Sequence, residues 1–65
     1  MNRNEMRECR IALEKGQIWG FISNDEEMVK SYVSKAYGGL LDFDDYFELH
    51  RMKTPLGQLI SVRKK

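Results

Sequence analysis

The chain has 65 residues, 42% hydrophobic and 32% charged, with 11 Lys and Arg against 10 Asp and Glu and a formal net charge of +1. That composition is globular rather than disordered, and the length allows one small domain, residues 1–65, with a modest core. A single cysteine excludes an internal disulfide framework, no Cys/His set has zinc spacing, and no apolar stretch reaches signal-peptide or membrane-spanning length, so the expectation is a cytoplasmic protein that does not engage a membrane.

Residues 2–15 read as a first helix. Met6, Cys9, Ala12 and Leu13 form a narrow apolar stripe among Arg3, Arg7, Glu8, Arg10 and Glu14, with Ile11 off the stripe. Asn2 or Asn4 supplies a start and Gly16 a stop. Residues 18–22, Ile-Trp-Gly-Phe-Ile, then make a strand-length run of β-branched and aromatic types. On a strand, Ile18, Gly20 and Ile22 share one face and Trp19 and Phe21 the other. Both faces are apolar. Either the strand is covered on both sides, with the first helix over one of them, or one face is kept for a partner.

A helix start follows at once. Ser23 with Glu26, or Asn24 with Glu27, fits the reciprocal capping pattern, and Asp25, Glu26 and Glu27 place negative charge at the positive end of the helix dipole. Met28, Val29, Tyr32, Val33, Ala36 and Tyr37 form one stripe, and Gly38 and Gly39 end the helix. Leu40 and Leu41 read as buried. Residues 46–52 fit two descriptions: a helix capped by Asp45, or a strand with Phe47 and Leu49 opposite Tyr46, Glu48 and His50. The turn sequence Lys-Thr-Pro-Leu-Gly-Gln at 53–58 and the strand-like residues 59–63 favour the strand, as half of a hairpin. The expected fold is a small single α+β domain in the order helix-strand-helix-strand-strand, with a C-terminal β-hairpin.

Little in the chain carries chemistry. The acids Asp42, Asp44, Asp45 and Glu48 are interrupted by Phe43, Tyr46 and Phe47 and lack the central Gly of a calcium loop, so no metal site is expected. Cys9 sits on an apolar stripe, far in sequence from His50, the only histidine, so no thiol nucleophile is expected. No glycine-rich phosphate loop is present, and neither a catalytic residue nor a cofactor is expected. Charge, however, is segregated. Residues 24–48 hold seven acids against Lys30 and Lys35, while residues 49–65 hold Arg51, Lys53, Arg63, Lys64 and Lys65 and no acid.

These features point to a non-enzymatic protein-binding regulator or inhibitor, of the size class that bacteria and their phages often encode. It would dock through an apolar and aromatic surface with an acidic rim. Trp19, Phe21, Tyr46 and Phe47 are the candidate anchors, provided they are exposed, and Asp42, Asp44, Asp45 and Glu48 the candidate rim. The alternative is a nucleic-acid-binding module using Lys15, Arg51, Lys53, Arg63, Lys64 and Lys65 with the strand aromatics. The stretch from Lys15 to Ile22 is faintly similar to the RNP1 pattern of RNA-recognition sheets, where aromatics stack on bases, although the surrounding elements do not fit a full motif of that kind. The near-neutral net charge weighs against nucleic acid. A homo-oligomer formed through sheet edges is compatible with either reading.

Overall fold

The structure, a computed structural model, describes residues 3–65. In chain order it contains α1 (Arg3–Glu14), β1 (Trp19–Ile22), α2 (Glu26–Ala36), the single turn α3 (Phe43–Tyr46), β2 (Phe47–Thr54) and β3 (Gly57–Lys64). The helix-strand-helix-strand-strand order expected from the sequence is the one found, with α3 added before β2. The N-terminal cap assigned to Asn2 lies outside the described residues.

Both long helices stop by the same device. After α1, the Gly16 N–H donates to the Leu13 carbonyl (3.0 Å) and the Gln17 N–H to that of Ala12 (2.9 Å). After α2, Gly38 donates to Lys35 (3.1 Å) and Gly39 to Ser34 (2.8 Å). This paired closure satisfies orphan carbonyls only if the residue past the helix turns left-handed, which Gly38 does at φ 91°.

The start of α2 differs from both capping pairs read in the sequence. Asp25 is the N-cap, its side chain accepting from the Met28 N–H at 3.1 Å. Ser23 is already committed to the sheet, its backbone N–H donating to the Gln58 carbonyl, and its hydroxyl accepts from the Asp25 N–H. The cap falls on Asp25, beyond both Ser23 and Asn24, and neither reciprocal box forms.

The 46–52 ambiguity resolves into a turn of helix followed by a strand. Asp42, not Asp45, caps the turn, accepting from the Asp44 N–H at 3.3 Å. Phe47 then leaves the helix in extended geometry. At the hairpin tip, Pro55 cannot take the positive φ that two-residue loops usually need, and the unusual conformation moves to Gly57 at φ 129°. The Thr54 hydroxyl closes the turn by donating to the Gly57 carbonyl (2.7 Å) and accepting from the Leu56 N–H (3.2 Å).

The sheet is antiparallel throughout, in the order β1-β3-β2. Register puts Trp19, Phe21, Leu49, Phe47, Ile60 and Val62 on one face. That face packs on Cys9 and Leu13 of α1 and Val29, Tyr32 and Val33 of α2, with Phe43 of α3 completing the core. Phe21 meets Tyr32 edge to face at 5.2 Å, and Phe47 lies between Tyr37 (5.4 Å) and Phe43 (5.3 Å). Both helices thus lie on the same side, and among the described residues nothing covers the other side of the sheet. Leu41 packs against the core, but Leu40, which the sequence suggested was buried, is 98% exposed. It follows the two glycines that close α2, so the chain is still turning outward there.

Candidate functional site

The uncovered face is built from three cross-strand rows. Ile22, Leu59 and Met52 stand opposite one another across the strands, as do Gly20, Ser61 and His50. Arg63 pairs with Glu48, with Ile18 continuing that row just before β1. An antiparallel sheet with one solvated face normally alternates apolar inward and polar outward. Here the outward side carries Ile18 at 62%, Ile22 at 67% and Met52 at 63% exposure. Leu59 is half-buried, its Cδ1 leaning over Gly20 to within 3.3 Å of where a β-carbon would sit.

The middle row is low because Gly20 has no side chain and Ser61 a short one. The result is a shallow depression of about 360 Å³ lined by Ile18, His50, Arg51, Met52, Ser61 and Arg63. Its charges largely cancel. Arg63 Nη2 donates to Glu48 Oε2 at 2.9 Å, and His50 Nε2 lies 3.7 Å from the same oxygen. The Arg63 guanidinium, chiefly through this hydrogen bond, holds the Glu48 carboxyl below the usual range. Arg51 is turned to Glu26, so it brings no free charge to the depression.

The residues singled out in the sequence are dispersed. Trp19 and Phe21 are half-buried against the core, and Phe47 is 3% exposed within it, so Phe47 is not a surface anchor. Of the four aromatics, Tyr46 is the exposed one, at 50%. The acids do not rim the open face, Glu48 excepted. Asp42 caps α3, and Asp44 faces α2, 3.4 Å from Lys30 Nζ, while Asp45 is exposed. Lys65 Nζ donates to the Asp44 carbonyl at 2.7 Å.

The basic residues diverge too. Strand alternation sends Arg51, Lys53 and Lys64 to the helix side and Arg63 to the open side. Arg51 forms a two-pronged pair with Glu26, and Lys64 pairs with Glu14. Lys15 and Lys53 have no ion pair among the described residues and lie apart, Lys15 in the turn after α1 and Lys53 on β2. No single basic stripe results. Cys9 is fully buried, and desolvation pushes its thiol up to about 11, leaving it protonated at neutral pH. Among the described residues no group of three or more His, Cys, Asp or Glu is placed to hold a metal ion, and no helix is long and apolar enough to cross a membrane.

The sequence reading put Ile18 and Ile22 on one face but missed Leu59, Ser61 and Met52 as their neighbours. The missing information was strand order. With β3 between β1 and β2, the odd positions of 59–63 fall in line with Gly20 and Ile22, whereas the sequence alone leaves the pairing open. Compared with protein-family models, curated proteins and solved structures, the chain matches none.

Proposed function

We propose that the chain is a small non-enzymatic protein-binding regulator, and that its docking surface is the uncovered face of the sheet. The observation that carries this reading is the in-register apolar row Ile22–Leu59–Met52, flanked by Ile18, on a face that ordinarily is polar. Its occupant is a partner protein that presents an apolar, uncharged ridge to the low row Gly20–Ser61–His50. Charge favours such a ridge. The two formally charged residues of the face, Glu48 and Arg63, neutralise each other, so neither a phosphate backbone nor a strongly acidic surface finds an unpaired attraction there. Host regulation by a bacterial or phage-encoded protein of this size is the setting that fits.

The test is affinity capture from host lysate, with nuclease, comparing the wild type with the variants Met52→Glu and Ser61→Arg. Both side chains stand on the face opposite the core, so far-ultraviolet circular dichroism should be unchanged. The expected result is one protein retained stoichiometrically by the wild type and weakened at least tenfold by either variant. Equal retention by wild type and variants would place the contact elsewhere. Recovery of nucleic acid instead, lost at moderate salt, would favour the nucleic-acid alternative.

A further inference from the structure

Among the described residues β1 is an edge strand, paired with β3 alone. The Ser23 N–H to Gln58 carbonyl bond extends the β1–β3 ladder by one residue and fixes its phase. Antiparallel pairs alternate between those that exchange hydrogen bonds and those that do not. Trp19, Phe21 and Ser23 therefore direct their backbone groups at β3, and Gly20 and Ile22 direct theirs outward, with Ile18 in the same phase.

The two edges of this sheet are defended differently. At the other edge, the Lys65 N–H to Tyr46 carbonyl bond sets the phase, so Phe47, Leu49, Arg51 and Lys53 face outward. That strand carries Glu48, His50, Arg51 and Lys53 and runs into Pro55, the charged and proline-terminated pattern that blocks edge-to-edge pairing. Residues 18–22 carry no charge, no proline and no bulge. Shortness is their one protection.

Those five residues also read nearly the same in both directions: Ile, aromatic, Gly, aromatic, Ile. In an antiparallel pairing of two copies with the two-fold axis at Gly20, Ile18 of each copy stands opposite Ile22 of the other on the open face. Trp19 of each stands opposite Phe21 of the other on the helix face. The two Gly20 residues exchange hydrogen bonds at the axis, in agreement with the phase of the edge, and neither brings a side chain of its own to it. A second copy is thus a self-complementary occupant of this edge.

We infer that two copies of this chain associate through β1, in antiparallel register centred on Gly20, to make one continuous six-stranded sheet. The axis of such a pairing is perpendicular to the sheet, so all helices stay on one side and all the open-face rows on the other. A second feature lies on the same flank. Half-exposed Ile11 and Trp19 line a cleft of about 350 Å³ with Glu8, Ala12, Lys15 and Gln17, next to the position that Phe21 of the other copy would occupy. A five-residue seam is only about 17 Å long. It falls short of the roughly 800 Å² per partner of a standard interface, so the dimer is weak and depends on concentration. The association involves β1 and leaves Met52 and Ser61 free, so it stands or falls independently of the docking reading.

The experiment is sedimentation velocity of the full chain across about 1 μM to about 1 mM, where an interface this small should titrate. The wild type is expected to pass from monomer to dimer mass. The double variant Ile18→Lys/Ile22→Lys sets like charges opposite each other twice and is expected to dimerise at least tenfold more weakly. The double variant Ile18→Lys/Ile22→Glu sets opposite charges across the seam in this register alone, and is expected to recover dimerisation. Both positions are exposed, so circular dichroism should report the same fold for all three. A wild type that stays monomeric throughout overturns the inference. So does a double-lysine variant that dimerises as well as the wild type, or a Lys/Glu variant no better than the double-lysine one.

Discussion

Tyr37 packs on Phe47 with its hydroxyl buried and without a hydrogen bond. The nearby Glu14 carboxylate is taken by Lys64. Desolvation, and then the charge and proximity of the Glu14 carboxylate as an acceptor, push the Tyr37 hydroxyl up to about 12, so it remains neutral at any physiological pH. An unpaired buried hydroxyl costs stability, so Tyr37→Phe should stabilise the fold by about 1 kcal/mol, read as a shifted urea midpoint at unchanged slope. Loss of stability on this change would mean that the hydroxyl is paired in solution. This residue also shows where sequence reading stops. Its place on the helical stripe was legible from spacing, but the fate of its oxygen depends on Glu14 and Lys64, 23 and 27 residues away. The same holds for the cap of α2: the sequence offered Ser23 and Asn24, whereas the cap is Asp25, with Ser23 held by a long-range bond to Gln58.

At the scale of elements, the signals that were legible are those whose cause is local. The stripes of α1 and α2, the glycines that end them and the Pro/Gly turn each act within a few residues. Gly38→Ala tests the best of these. Forcing a β-carbon into φ 91° should cost about 1–2 kcal/mol, measured by thermal or urea unfolding, although nothing within 4 Å would touch that carbon. An unchanged midpoint would show that the helix end can relax. What was not legible is the side of the sheet each apolar residue serves. Residues 18–22 are apolar on both faces, yet only the Trp19 and Phe21 face is covered. Period-2 alternation says that two faces exist and not which one a helix will reach. The single turn α3 escaped because one capped turn, Phe43–Tyr46, offers no periodicity to read.

For the molecule as a whole, three ion pairs tie the helix layer to the strands and to α3: Glu26 with Arg51, Glu14 with Lys64, and Lys30 with Asp44. Hydrogen bonds from Arg51 and from Lys64 hold the Glu26 and Glu14 carboxyls below their ordinary value, as Arg63 does for Glu48. A carboxyl lowered in the folded state contributes stability that is fully present above its unfolded value. That contribution is lost as pH falls through the folded one. The urea midpoint should therefore hold near neutrality and decline from about pH 4.5 downward, and Glu26→Gln should flatten that decline. An acid profile identical in wild type and variant would show that this pair contributes nothing measurable. Glu26, Asp44 and Glu48 of the acidic middle and Arg51, Arg63 and Lys64 of the basic end are thus paired within the fold. The sheet order carries one more consequence. β3 follows both of its neighbours in the chain, yet it is the strand to which each of them is bonded. In synthesis on a ribosome, α1 and α2 can pack on each other, but β1 and β2 emerge with nothing to pair with until Gly57–Lys64 has cleared the exit tunnel. Completion of the sheet is then a late event, and a nascent chain stalled before β3 would display the edges of β1 and β2 to chaperones and proteases.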